Sequence, residues 1–208
     1  MHTERRSPCV LKWRVTCRSP VIADVIPLKS MTPEKALSLV EQHIEAGMVA
    51  DAGSVRETDF GFYYHVTSEA YLQTGDMMDL PVGSCGVLVD RDTGEVHDLG
   101  SAFGLEYWLE AYSRGLHQLM DVVVVAVGDR QRAASALGRL QMSCVVPEVA
   151  HGETWRIRQS YNQKDFIVAF DSLPARFEAQ QLIFRMHEID AIANNIDLSI
   201  ELEPSIAV

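Results

Sequence analysis

The stretch from Gly86 to Leu99 constrains this chain more than any other. Two β-prone runs, Gly86-Val87-Leu88-Val89 and Glu95-Val96-His97-Asp98-Leu99, flank Asp90-Arg91-Asp92-Thr93-Gly94. A polar turn ending in glycine, which accepts the positive φ such loops need, predicts a β-hairpin and therefore an antiparallel sheet. Upstream, residues 60–66 (Phe-Gly-Phe-Tyr-Tyr-His-Val) are aromatic and β-branched and predict a further strand, with Gly61 marking a bulge or a close backbone approach. Thr32-Pro33-Glu34-Lys35 carries a helix start: a capping hydroxyl, a first-turn proline and an acid at the positive end of the dipole. Leu37, Val40, Ile44 and Met48 then recur at helical spacing, and Gly47 ends the element. After the hairpin, Leu105, Trp108, Leu109 and Tyr112 define a second amphipathic helix stopped by Gly115. Helix, strand, hairpin, helix is an α+β order on an antiparallel sheet, and it predicts a first domain over residues 31–115.

Residues 116–208 predict a second domain. The apolar run 120–127 suits a buried strand, and Gly128-Asp129 turns it into a helix bearing Ala133, Ala134, Leu137 and Leu140. Alternation predicts strands over 155–159 and 165–170, joined by a turn at 161–164. Ser172-Leu173-Pro174 is read as the start of a helix running to Ala191 or Ala193, and residues 196–202 as a last strand. The resulting β-α-β-β-α-β order is that of a ferredoxin-like, split βαβ sandwich. Such a module serves as an edge-pairing or docking surface, or builds a homodimer, and equally well only supports its neighbour.

Several runs of the first domain together resemble the immunity protein 35 family, also called YrhB-like. They are Thr58-Asp59-Phe60-Gly61-Phe62-Tyr63-Tyr64, then Tyr71-Leu72-Gln73-Thr74-Gly75-Asp76, then residues 83–90, Asp92-Thr93-Gly94 and Leu99-Gly100-Ser101. The resemblance covers residues 31 to about 114. Phe62 stands where the family usually has Trp, and Ser84-Cys85 where Asn-Gly-Pro is common, which changes how the chain enters the hairpin. The resemblance implies a small cytoplasmic bacterial protein that neutralises, by binding, a toxin deployed in interbacterial competition. It supplies no catalytic residues and no cofactor. A chaperone-like or regulatory binding protein is the alternative that the same resemblance leaves open.

Charge sharpens the partner. The 208 residues carry a net charge of −11, with 47% apolar and 23% charged residues, an ordinary globular mixture that disfavours nucleic acid and anionic membrane as partners. Residues 1–30 hold six basic side chains against two acidic, residues 31–115 four against fifteen, and residues 116–208 eight against twelve. The acidity therefore concentrates in the first domain and calls for a partner with a basic surface. Within it, Asp76, Asp79, Asp90, Asp92, Glu95 and Asp98 are expected to form one acidic face, with Tyr71 and Tyr63 or Tyr64 as anchors. Acids of this kind speed encounter, while aromatic anchors hold the partner. A solvated face without a partner is the plainer account of any such charge run.

Residues 1–30 are expected to be a disordered tail or upstream extension with Met31 as the working start, since three prolines interrupt them and no uninterrupted apolar stretch follows the basic residues. With no export signal and no run of about 18 apolar residues, a cytoplasmic location is expected. Cys9, Cys17, Cys85 and Cys144 are scattered without a metal-ligand or disulfide pattern, and Cys85 and Cys144 read as small core residues. Asp90-x-Asp92-x-Gly94 is no EF-hand, because its sixth and twelfth positions are Glu95 and Ser101. Val127-Gly128-Asp129 lacks the glycine pattern of a phosphate loop, and His187-Glu188 lacks a second zinc-protease His. A hydrolase using Cys85 as nucleophile and His97 as base, facing each other across the hairpin, is the remote enzymatic alternative.

Overall fold

The computed structural model describes residues 31–150, 153–195 and 197–206. The expected tail over residues 1–30 lies outside the described residues. The chain divides into two compact units between Arg114 and Gly115.

The first unit runs α1 (Pro33–His43), β1 (Met48–Ala50), β2 (Arg56–Glu57), β3 (Gly61–Tyr64), β4 (Val66–Ser68), α2 (Glu69–Thr74), β5 (Ser84–Asp90), β6 (Val96–Gly100) and α3 (Leu105–Ser113). Thr32 caps α1 by accepting from the Lys35 amide, as its hydroxyl predicts. A four-stranded antiparallel sheet, β2-β3-β5-β6, pairs Phe62 with Val89 and Tyr64 with Val87. Paired residues share a face, and these four pack with Ala36 and Val40 of α1 in one buried cluster. Leu37, Ile44 and Met48 of the expected stripe lie at its margin, and Met48 belongs to β1.

The alternate residues turn to the other face, where α3 covers them. His97, opposite Leu88, meets the Tyr112 ring edge-on at 5.3 Å, and the Trp108 indole donates to the Gly100 carbonyl (2.7 Å). Gly61 is needed for close approach: a Cβ there would run into the Val89 carbonyl. Gly94 has φ +72° and closes the hairpin turn as expected.

The aromatic run does not continue as one strand to Val66. At His65 the backbone leaves the β5 ladder: its carbonyl accepts from the Asp51 amide (2.9 Å) and its amide donates to Ser54 (3.0 Å). Beyond that switch, β4 pairs with β1.

The second unit runs β7 (Leu119–Val127), α4 (Arg130–Gly138), β8 (Ser143–Ala150), β9 (Glu153–Ser160), α5 (Gln163–Ala169), β10 (Ala175–Gln181), α6 (Met186–Ala193) and β11 (Leu198–Pro204). The apolar run becomes β7, central between β10 and β11 and antiparallel to both. Asp129 caps α4 through the Gln131 and Arg132 amides.

The α+β class stands, but the β-α-β-β-α-β order does not describe this unit. Residues 165–170 form helix, not strand. Asn162 and Asp165 make a reciprocal capping box, and Phe166 and Phe170, one turn apart, are buried while Val168 is exposed. The expected helix from Ser172 begins instead as β10, with Ala175 and Phe177 inward and Arg176 and Glu178 outward. A bulge then shifts the register so that Gln180 turns inward, which breaks the alternation that would have marked a strand. Only α6 remains of that helix. β8 was not expected at all, and with β9 it forms a separate two-stranded sheet.

The β10 bulge is held by Asp121, whose buried carboxylate accepts from the Ala179 amide (2.9 Å) and from Arg176 (2.7 Å). Arg176 also donates to Glu203 on β11 (2.6 Å). Burial works to raise the Asp121 carboxyl, but the Ala179, Ser205 and Arg176 hydrogen bonds outweigh it and hold the group below the usual carboxylate range.

Candidate partner interface

The six acids do not form one face. Asp76 and Asp79 precede β5, while Asp90 ends it and Asp92 and Glu95 lie in the turn that follows, so a seven-residue strand about 20 Å long stands between the two groups in the chain. Asp90 is committed to the turn, its carboxylate accepting from the Asp92 amide (2.9 Å), the Thr93 amide (2.7 Å) and the Thr93 hydroxyl (2.9 Å). Asp98 lies opposite Val87 and meets His43 at the end of α1 (3.0 Å). Glu95 and Asp92 remain exposed. Burial first, and then the charges of Glu95, Asp90 and Asp98, push the Tyr112 hydroxyl up.

Asp76 and Asp79 organise a different surface. Gly75 ends α2 in the left-handed region, and its amide returns to the Tyr71 carbonyl (2.8 Å). The Thr74 hydroxyl donates to the Asp79 carboxylate (2.7 Å), Asp76 caps the Met77–Asp79 turn through the Met78 amide (2.9 Å), and Ser68 donates to the Asp79 carbonyl. This polar frame lifts apolar side chains into water. Leu72 is 63% exposed, Met77 70%, Met78 89% and Val82 100%. Tyr71 is half-buried beside them. Four large apolar groups thus stand in water within eleven residues of sequence, two of them methionines, whose flexible, polarizable chains adapt to what they meet.

In the sequence the acids of this segment stand out and its apolar members do not. The missed signal was Met77-Met78 and Val82 in a connection too short and too capped to bury them. Tyr63 and Tyr64 are not anchors: both are buried, with hydroxyls donated to the Cys85 carbonyl (2.7 Å) and the Pro33 carbonyl (2.5 Å).

The enzymatic alternative loses its geometry. His97 pairs with Leu88, three positions or roughly 10 Å along β5 from Cys85. Cys85 sits at a bulge, half-buried rather than in the core, and burial pushes its thiol up, away from the reactive thiolate. Cys144 is likewise only half-buried. Among the described residues, no group of three or more His, Cys, Asp or Glu side chains is placed to share a metal ion. No helix among them is long and apolar enough to cross a membrane. A cleft of about 290 Å³ between α4 and α6 is lined by Arg132, Arg139, Glu188 and Asp197 among others; Arg132 pairs with Asp197 within it (3.5 Å), and Glu188 with Arg185 outside the lining (3.8 Å).

Comparison with known proteins bears on the first unit. The family model described as immunity protein 35 matches residues 34–111. The chain is also 36% identical over 52 residues to the uncharacterized protein YrhB of Escherichia coli (strain K12), a match covering 25% of this chain and 55% of that protein. The chain thus spans about half the length of this curated relative. No solved structure matches. The matched segment begins inside α1 and ends inside α3, so it contains the whole four-stranded sheet and the exposed Leu72–Val82 surface.

Proposed function

We propose that this protein is an immunity protein that binds a cognate toxin of interbacterial competition and neutralises it stoichiometrically in the cytoplasm. The observation that carries the reading is that the segment matching the immunity family also presents Leu72, Met77, Met78 and Val82 to solvent on a frame braced by Asp76 and Asp79. Apolar anchors at the centre of an interface supply affinity. The acids at the hairpin end, with fifteen acidic against four basic side chains over residues 31–115, attract a basic toxin and repel wrong partners. Expressing the product of the adjacent gene with and without the full chain tests it. Lethality alone and survival on co-expression support the reading, and killing that persists with the chain present contradicts it.

The paired methionines also favour a second reading, a YrhB-like chaperone with a broader clientele, because Met-rich surfaces repack against many partners. Suppressed aggregation of unrelated unfolded proteins would support it, and strict dependence on one partner would exclude it.

A further inference from the structure

The β8–β9 ribbon is fixed at its base and bare beyond it. Gln180, 2% exposed, accepts from the Ser143 amide (2.9 Å) and donates to the Ser143 carbonyl (2.9 Å), while the Tyr161 amide donates to the Met142 carbonyl (3.0 Å). Past this anchor every residue of β9 is exposed, and among the described residues the two strands pair only with each other. A two-stranded ribbon is marginal in water, yet this one displays Trp155 (55% exposed) and Ile157 on one face and Val145 and Val149 (74% exposed) on the other.

Its two edges differ. Pro147 interrupts β8, removing a ladder donor and blunting that edge. β9 has no proline and offers its free edge for pairing.

We infer that β9 is the seam of a homodimer, pairing antiparallel with β9 of a second copy to close a four-stranded sheet. Charge selects this occupant. Two copies of a chain at −11 repel over most of their surfaces, but the ribbon is balanced, Glu148 and Glu153 against Arg156 and Arg158. A basic partner of the kind proposed for the first unit would be repelled by the two arginines.

The two-fold limits the register. An axis normal to the sheet keeps each face on its own side, so the seam is centred on a residue and joins positions of equal parity. Centring on Arg156 or Arg158 opposes that arginine to itself, and centring on Ile157 opposes Arg156 to Arg158 of the partner subunit twice; like charges directly opposite are destabilising. Centring on Trp155, Thr154 or Gln159 opposes no like charges, but only centring on Trp155 brings the two indoles together at the axis, an aromatic pair that favours this register, and it sets Thr154 against Arg156 of the partner subunit.

Sedimentation velocity of the full chain over a wide concentration series tests this. The expected result is a concentration-dependent dimer that Thr154→Glu tightens roughly fivefold, through two new opposite-charge pairs, and that Thr154→Arg loosens by at least as much. Thr154 is exposed, so at concentrations where the chain is monomeric neither variant should shift the melting temperature. A monomer at every concentration would overturn the inference, as would a dimer whose dissociation constant is the same in both variants.

Discussion

Replacing Met77 and Met78 together by serine separates binding from stability. Fully burying a methionine side chain is worth about 1.5 to 3 kcal/mol. With 70% and 89% of their surfaces still in water, Met77 and Met78 have most of that gain left to make with a partner. Ordering each flexible side chain costs about 1 kcal/mol, which leaves a net of about 1 kcal/mol each. The double variant should therefore bind the cognate toxin about 30-fold more weakly. Its fold should be untouched, because the turn under the methionines is braced by the Asp76 side chain and by Thr74 and Asp79, none of which changes. Isothermal titration with purified toxin reads the first quantity and a thermal melt the second. An affinity within twofold of the parent at unchanged melting temperature would refute the assignment of this surface, and a fall in melting temperature matching the loss of affinity would show the methionines to be structural.

Reversing Asp92 and Glu95 to lysine should slow toxin association and flatten its salt dependence, read by stopped flow, since exposed acids act mainly on encounter; on-rates unchanged at every ionic strength would exclude the hairpin end from steering. Asp90 stands apart from those two, because Asp90→Lys would also strip the three hydrogen bonds that close the turn and lower stability. In the second unit, Asp121→Ala should cost about 2 kcal/mol by stranding the Ala179 amide, and Asp121→Asn less, because an oxygen still accepts there. The folded Asp121 carboxyl titrates below its unfolded value, so its stabilisation is present above the ordinary aspartate range and is lost as pH falls through the lowered folded value. Denaturant melts should accordingly show the gap between parent and Asp121→Asn narrowing in acid, and a gap independent of pH would contradict the linkage.

The first unit was legible because its signals are local and agree with one another. Thr32 and Pro33 start α1, Gly94 closes the hairpin, and Leu105 to Tyr112 carry one helical stripe. The short strands β1 and β4 escaped, since three residues are too few for periodicity to register and their pairing follows from backbone bonds at His65. The second unit was misread where two signals conflicted. Asn162 and Asp165 spelled a capping box inside a run that also alternates, and the bulge at Ala179 hid the period of β10. At the candidate interface the charges were visible, but their division between the two ends of β5 was not, because chain proximity says nothing about which end of a strand a loop serves. The exposure of Met77 and Met78 depends on the capped turn at Asp76, which only the fold reveals.

The central claim is neutralisation by binding, and titrating active toxin with the full chain tests it most directly. Residual toxin activity should fall linearly to zero at one equivalent and return when the complex is separated under denaturing conditions and the toxin refolded. Complete and irreversible loss of activity at a small fraction of an equivalent would mean that the chain acts catalytically on the toxin, and would contradict the account.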